Sequence, residues 1–175
     1  MNFHTCEYYT QMVKTLDEWT TAYIALGSNL FNKTENLSKA IEHLGNIEGL
    51  RVIKCSGFIE TKAEGFETEH DFLNAVVEIE SKISPEYLLN ELLCIEKEMG
   101  RVRSENGYSD RPIDLDIIAF GEMIYKSKNL IIPHPEMHCR TFVLIPLSEI
   151  NKEWKHPVLN KSAIELQMEL KNRSV

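Results

Sequence analysis

The sequence predicts an α+β protein with a ferredoxin-like split βαβ arrangement, in which an antiparallel sheet has its helices packed on one face. Strand-like and helix-like patterns follow the order β-α-β-β-α-β between residues 21 and 120. At 175 residues the chain has the size of one domain with its own core, and neither a repeat nor a linker divides it. We therefore expect one domain over residues 21–175, preceded by an N-terminal extension of unknown role over residues 1–20.

The first three elements are a strand, a helix and a strand. Residues 21–26 form an apolar, partly β-branched run that ends at Gly27, which predicts a buried strand entering a turn. Asn32 followed by Glu35 has the form of a capping box, and apolar residues recur after it at helical spacing. Residues 51–60 predict the next strand.

A third strand and a second helix follow. Along residues 72–80 the aliphatic side chains alternate towards one face, which leaves Phe72 and Asn74 on the other. Ser84 has the form of an N-cap before a proline and an apolar stripe at helical spacing, and Gly100 marks the end of that helix.

The last strand of the unit covers residues 113–120, and Gly121 is expected to turn the chain back towards residues 123–125. Residues 140–150 and 162–170 have helical character. Hydrophobic residues make up 43% of the chain and charged residues 26%, close to the globular average, so the chain is expected to fold into a compact domain.

Composition limits the partners of the chain. The net charge of -8 disfavours a nucleic-acid partner, because nucleic-acid-binding proteins neutralise phosphates with a broad basic surface. No apolar run reaches the roughly 18 residues of a membrane span, so we expect no membrane partner and a cytoplasmic location. The four cysteines form no C-x-x-C pair, which argues against a zinc site. We expect small-molecule substrates and a monomer.

Two aspartates on the last strand are the strongest candidates for metal ligands. Asp114 and Asp116 alternate with aliphatic residues, so strand geometry sends both carboxylates to one face, roughly 6–7 Å apart. This spacing suits oxygen ligands that share one or two Mg²⁺ ions with a phosphate-bearing substrate. Taken alone, a D-x-D pattern more often marks the solvated face of a half-exposed strand.

An arginine-rich loop before these aspartates strengthens the metal interpretation. Arg101, Arg103 and Arg111 lie within eleven residues and are three of the six arginines in the chain. Guanidinium groups bind phosphate oxygens through planar forks, and a metal on the aspartates would bridge the same phosphates. Such a loop alone is more often a solvated surface, but the two patterns together predict transfer of a phosphorus-containing group from a magnesium-bound nucleotide to a small acceptor.

Other charged residues are weaker candidates. His134 and His138 are spaced i,i+4, but the H-E-x-x-H pattern of a zinc protease is absent. His134 is a candidate phosphate contact and Arg140 a candidate fourth cation, although both residue types are also common on surfaces. Glu96 lies in the last turns of the second helix, where a lone carboxylate is expected to face solvent.

Residues 111–117, RPIDLDI, resemble the 6-hydroxymethyl-7,8-dihydropterin pyrophosphokinase family of folate biosynthesis. The resemblance continues in the family's order and spacing through YIALGSN at 23–29, FLNA at 72–75, GRVR at 100–103, IPHP at 132–135 and PL at 146–147. It implies a ferredoxin-like fold, two Mg²⁺ ions, and transfer of the β,γ-diphosphate of the co-substrate ATP to the hydroxymethyl oxygen of the pterin, with release of AMP.

The resemblance also implies roles for individual residues. Asp114 and Asp116 would hold the magnesium ions and, with Arg101 and Arg103, would be the catalytic residues. The residues implied to contact ATP are Glu96, Arg101, Arg103, Arg111, His134 and Arg140. The residues implied to bind the pterin are Thr61, Phe72, Asn74, Tyr108 and Phe142, with Asn74 as a hydrogen-bond partner and Phe142 as the stacking ring.

The chain departs from the family pattern at two places. Gly107 and Tyr108 stand where many members carry an arginine and a tryptophan, so one loop cation is missing and the aromatic side chain is smaller. Lys62 and Ala63 stand where prolines often follow the threonine. We therefore expect differences in loop closure and at the edge of the pterin pocket.

Two other functions remain open from the residues alone. A nucleotidyl transferase with a polymerase-palm-like sheet also places metal-binding aspartates on a ferredoxin-like fold, and it would release pyrophosphate rather than AMP. A non-catalytic ferredoxin-like module that senses a small ligand would bind without magnesium. The acidic net charge and the absence of an aromatic RNP-like strand count against an RNA-binding module.

Overall fold

Five strands form one antiparallel sheet in a computed structural model that describes residues 15–65, 67–102 and 109–173. The spatial order is β2-β4-β1-β5, and the short β3 also pairs with β4. Each β-α-β unit is thus split by a strand of the other, which confirms the ferredoxin-like fold class. The strands are β1 (Thr15–Ser28), β2 (Leu50–Cys55), β3 (Ile59–Thr61), β4 (Phe72–Ile83) and β5 (Asp114–Phe120).

Helices cover both faces of this sheet. The helices within the split unit, α1 (Lys33–Gly45) and α2 (Pro85–Glu98), bury an aliphatic core against one face, as predicted. The later helices, α3 (Thr141–Ile150) and α4 (Ala163–Arg173), belong to a second core on the opposite face. No helix in the described ranges is long and apolar enough to cross a membrane.

The predicted helix caps are confirmed. The backbone N–H of Glu35 donates to Oδ1 of Asn32 at 3.2 Å, which forms the N-cap of α1. The carboxylate of Glu35 accepts from the side-chain Nδ2 of Asn32 at 3.2 Å. The hydroxyl of Ser84 accepts from the backbone N–H of Tyr87 at 3.3 Å. Gly100 ends α2 with a φ of +87°, a conformation that glycine adopts without steric cost.

The structure differs from the predicted elements in several places. β1 begins at Thr15, so its first six residues lie in the segment that was predicted as an extension. The strand predicted over residues 51–60 is wrong as one element, because Ser56 separates β2 from β3. The backbone N–H of Ser56 donates to the carbonyl of Val76 at 3.0 Å, and the hydroxyl of Ser56 accepts from the backbone N–H of Val76 at 3.0 Å. After the Gly121 turn, the chain forms a separate hairpin of β6 (Tyr125–Lys126) and β7 (Ile131–Ile132).

Phe31, in the turn between β1 and α1, has a left-handed backbone with a φ of +58° and an 84% exposed side chain. This conformation costs a residue with a Cβ atom roughly 1–2 kcal/mol. We expect Phe31→Gly to raise the free energy of unfolding by about 0.5–1 kcal/mol, because relief of this strain outweighs the greater backbone entropy of unfolded glycine. Urea unfolding measures the change. Phe31→Ala is the control, because alanine retains the Cβ atom and with it the strain. Equal stability of Phe31→Gly and Phe31→Ala would contradict strain as the cause.

Candidate active site

Three neighbouring strands form the floor of a cavity. Gly27 on β1 pairs with Asn74 on β4 and with Asp114 on β5, and two residues earlier Ala25 pairs with Asp116. A Cβ atom added to Gly27 would lie 3.1 Å from Oδ1 of Asn74, closer than ordinary van der Waals contact. Glycine at this position therefore lets the amide of Asn74 lie against β1, with the carboxylate of Asp114 on the other side.

A cavity of about 290 Å³ opens over this floor. Glu96 was predicted to contact ATP but is not among the residues that line this cavity, and Arg103 and Tyr108 lie outside the described residues. The predicted residues that the cavity brings together are Thr61, Phe72, Asn74, Arg101, Arg111, Asp114, Asp116, His134, Arg140 and Phe142.

The two aspartates share the cavity because β5 alternates as predicted. Leu115 and Ile117 are buried in the core of α1 and α2, and Asp114 and Asp116 line the cavity from the other face. Burial raises the pKa of Asp116 to about 7, and the negative charges of Asp114 and Glu96 add to this shift. Near neutral pH the cavity therefore contains a carboxylate whose ionised form is poorly compensated.

Arg101 links the end of α2 to β5. Its guanidinium donates to the carboxylates of Glu96 and Asp114. Glu96 is only 2% exposed, and its Oε1 also accepts from the backbone N–H of Leu115 at 2.8 Å. The expectation that Glu96 faces solvent is therefore wrong: it is a buried support for Arg101. Glu96 lies four residues after Leu92, on the apolar stripe of α2, and this spacing was a sequence signal for its burial.

Arg111 holds Asp114 from a second direction. Its Nε and Nη2 lie 2.9 Å and 2.7 Å from Oδ2 of Asp114. Its Cζ also lies 4.9 Å from the ring centroid of Phe72, within the range of a cation–π contact. In this arrangement two arginines neutralise Asp114, so the donors that they give to this carboxylate are not available to a phosphate.

His134 and Arg140 lie on the side of the cavity next to α3. Nδ1 of His134 accepts from the backbone N–H of Glu136 at 3.2 Å, which leaves the ring proton of the neutral imidazole on Nε2. Burial and the nearby charge of Arg140 lower the pKa of His134, so the neutral form is favoured. The guanidinium of Arg140 donates to Glu136 and lies 5.6 Å from the ring centroid of Phe142. His134 is thus a neutral donor beside a cation.

Asn74 and two phenylalanines give the other part of the cavity a different character. Nδ2 of Asn74 donates to Oγ1 of Thr61 at 2.9 Å, which fixes the amide. Phe72 and Phe142 also line the cavity. Aromatic faces beside a fixed amide suit a flat ring with polar edges.

Seven lining residues were not predicted as site residues. Three of them belong to β1, Ala25, Leu26 and Gly27, and the other four lie in loops, Lys62, Glu64, Pro135 and Glu136. In the sequence Lys62 stands out only as a departure from the family pattern, and Glu136 follows the IPHP motif directly. Glu64 lies in a polar loop, and burial raises its pKa while the charge of Arg140 opposes that shift. Lone charged residues in such loops are usually solvated, so residue type alone gave no signal for these positions.

The described residues contain no group of three or more His, Cys, Asp or Glu side chains that is arranged to hold a metal ion. Within the cavity, two carboxylates on β5 are the natural oxygen ligands, and such a limited set fits Mg²⁺, which takes its remaining ligands from water and phosphate. Zinc is disfavoured, since His138 does not line the cavity and instead lies with its ring 6.3 Å from that of His156.

The fold and the cavity together define a class: an α+β enzyme of ferredoxin-like topology whose site combines paired carboxylates, arginines and an aromatic-amide pocket. A model of the 7,8-dihydro-6-hydroxymethylpterin-pyrophosphokinase family matches residues 23–152. The chain belongs to this family, as the motifs in its sequence indicated.

Relatives from bacteria support the assignment. A Haemophilus influenzae protein named 2-amino-4-hydroxy-6-hydroxymethyldihydropteridine pyrophosphokinase is 43% identical over 130 residues, which cover 74% of this chain and 81% of the relative. A Porphyromonas gingivalis protein of the same name is 44% identical over 140 residues, covering 77% and 92% of the two chains.

Solved structures with similar folds come from a longer protein. The Plasmodium falciparum HPPK-DHPS wild type with pteroate has a TM-score of 0.71 and 16% sequence identity, and the match covers 89% of this chain. The present chain spans 45% of that protein's length. This likeness supports the fold, and the family assignment rests on the sequence matches.

Proposed function

We propose that this chain transfers the β,γ-diphosphate of ATP to the hydroxymethyl oxygen of 6-hydroxymethyl-7,8-dihydropterin, giving AMP and the pterin diphosphate. The observation that carries the proposal is the row Asn74–Gly27–Asp114 across three strands. It sets an amide and aromatic pocket directly beside a pocket of carboxylates and arginines. A flat polar acceptor and a polyphosphate donor would therefore meet over the glycine.

We further propose that Asp114 and Asp116 are the protein ligands of two Mg²⁺ ions. When bound, the ions would bridge phosphate oxygens and offset their negative charge. Charge balance supports this assignment, because the described lining alone offers a polyanion little excess of positive charge, whether or not Asp116 is ionised. The charged residues in that lining are the cations Lys62, Arg101, Arg111 and Arg140 and the carboxylates Glu64, Asp114, Asp116 and Glu136.

The side chains of the chain itself would mainly position the reactants. Arg101 and Arg111 would release Asp114 and bind phosphate oxygens with their planar forks. His134 would donate its Nε2 proton to a phosphate oxygen. The buried carboxylate of Glu96 would hold the guanidinium of Arg101 in place. Phosphoryl-type transfer requires little covalent work from a protein once the acceptor oxygen, phosphorus and leaving oxygen are in line. Positioning would thus provide most of the rate enhancement.

Asn74→Ala is expected to raise KM for the pterin by about tenfold to a hundredfold, because a site that hydrogen-bonds a polar ring loses that contact without replacement. KM for ATP should change much less, since Asn74 lies on the aromatic side of the cavity. Steady-state kinetics with each substrate varied in turn measures both values. Glu80→Gln, on the same strand and outside the cavity lining, is the control. An equal rise in both KM values would contradict the assignment of Asn74 to the pterin.

The proposed reaction is tested by incubating the protein with ATP, Mg²⁺ and 6-hydroxymethyl-7,8-dihydropterin and separating the nucleotide products. Pterin-dependent AMP supports diphosphate transfer. ADP would mean single phosphoryl transfer, and pyrophosphate would mean nucleotidyl transfer. Binding of the pterin without any product would favour the ligand-sensing module.

A further inference from the structure

One carboxylate joins three loops beside the cavity. Oδ1 of Asp110 accepts from Nδ2 of Asn29 at 2.6 Å and from Oγ1 of Thr68 at 2.7 Å. Nε2 of His70 lies 3.9 Å from Oδ2 of the same carboxylate. Asn29 follows β1, Thr68 and His70 lie between β3 and β4, and Asp110 precedes β5. Residues that are distant in the sequence therefore contact the same carboxylate.

The same contacts lead from Asp110 to the cavity through Asn29. Asn29 is 3% exposed. Its side-chain Oδ1 accepts from the backbone N–H of Arg111 at 2.8 Å, and its backbone N–H donates to the carbonyl of Arg111 at 3.2 Å. Because Asp110 accepts from Nδ2, the amide of Asn29 is oriented with its oxygen towards Arg111. Arg111 in turn lines the cavity and contacts Asp114.

We propose that Asp110 is a positioning residue for the transfer, which acts through Asn29 to fix Arg111 and through Thr68 to fix the loop before β4. The inference rests on the proposed function for its kinetic consequence. Asp110 is not among the cavity-lining residues, so its effect is indirect. Without it, the buried Nδ2 of Asn29 loses its acceptor, and only the bond from the backbone N–H of Arg111 to Oδ1 remains to orient the amide.

Asp110→Ala is the direct test. We expect KM for ATP to rise by about tenfold or more, as for removal of a charged hydrogen-bond acceptor from a buried donor, with a smaller change in KM for the pterin. Asp110→Asn should restore most of the affinity, because one oxygen accepts both hydrogen bonds and an amide oxygen can replace it. Glu169→Ala is the matched control, because it also replaces a carboxylate by alanine. Glu169 lies on α4 and pairs with Lys161.

Thr68→Val provides a second variant that keeps the carboxylate and removes one donor. If Asp110 and Thr68 act through their contact, the double variant will raise KM for ATP by less than the product of the rises in Asp110→Ala and Thr68→Val. Wild-type KM in Asp110→Ala would overturn the inference, and so would an Asp110→Asn variant as impaired as the alanine variant. Fully multiplicative effects would overturn the link to the loop before β4.

A binding measurement separates this inference from the proposed reaction. Calorimetry with a non-hydrolysable ATP analogue and Mg²⁺ is expected to show weaker binding in Asp110→Ala and near-normal binding in Asp110→Asn. This pattern would support the positioning role even if the wild-type chain formed no pterin diphosphate, an outcome that would refute the proposed function alone. Unchanged analogue binding in Asp110→Ala would refute the positioning role whatever the reaction.

Discussion

Asp116→Asn is expected to lower kcat/KM for pterin-dependent AMP formation by about a thousandfold or more, because the variant loses a proposed metal ligand at the reacting phosphates. It should nevertheless leave the metal-free protein folded and make it more stable above neutral pH. Burial raises the pKa of Asp116 to about 7, so the ionised carboxylate is unfavourable in the folded state, whereas asparagine remains neutral.

The pH dependence follows from the direction of this shift. The folded chain retains the proton of Asp116 up to about pH 7, whereas the unfolded chain releases it near the ordinary aspartate pKa of 3.8. The stability contribution of Asp116 is therefore complete below the lower pKa and is lost as pH rises through the folded value. The stability gain of Asp116→Asn should grow from about pH 4 to about pH 7 and then level off.

Thermal melts of the wild type and variant across this pH range, without divalent cations, measure the stability effect. Asp114→Asn is the matched control, because Asp114 is paired with Arg101 and Arg111 and its replacement should lower stability. Both variants should lose turnover while their stabilities shift in opposite directions. Wild-type turnover in either variant would disprove the proposed role of that aspartate.

Arg101→Ala is expected to reduce both stability and turnover. Its removal takes the guanidinium of Arg101 away from the buried carboxylate of Glu96, which also accepts from the backbone N–H of Leu115. Loss of one partner of a buried ion pair costs roughly 3–5 kcal/mol of unfolding free energy. Turnover should fall by at least about a hundredfold, because the guanidinium is also proposed to bind the transferred phosphates.

A second substitution separates these two effects. In Arg101→Ala combined with Glu96→Gln, the buried group is neutral, so much of the lost stability should return in urea unfolding. Turnover should remain low, because the phosphate-binding cation is still missing. Recovery of turnover together with stability would contradict a direct role for Arg101 and would mean that it only supports the fold.

Local patterns in the sequence predicted most of the fold. The alternation around Asp114 and Asp116 was sufficient to assign their common face, because period-two geometry is fixed by the strand itself. Asn32 and Ser84 predicted the starts of both helices of the split unit, since an N-cap acts on the backbone only two or three residues away.

Features that depend on distant partners could not be predicted in this way. Most of the first residues of β1 are polar, yet they extend the sheet as far as a pairing of Thr15 with Ile83. The ring of Trp19 among them lies 3.9 Å from Cζ of Arg51. The contacts of Asp110 with Asn29 and Thr68 join residues up to 81 positions apart. No local period encodes such contacts, because they exist only after the sheet has formed.

The path of the β-phosphorus of ATP tests the central claim most directly. With ATP labelled at the β position, Mg²⁺ and 6-hydroxymethyl-7,8-dihydropterin, we predict that the label will appear in the pterin product, in equal amount to the unlabelled AMP that is released. Label that remains with the nucleotide as ADP, or pterin-dependent release of labelled pyrophosphate without a labelled pterin, would contradict diphosphate transfer by this site.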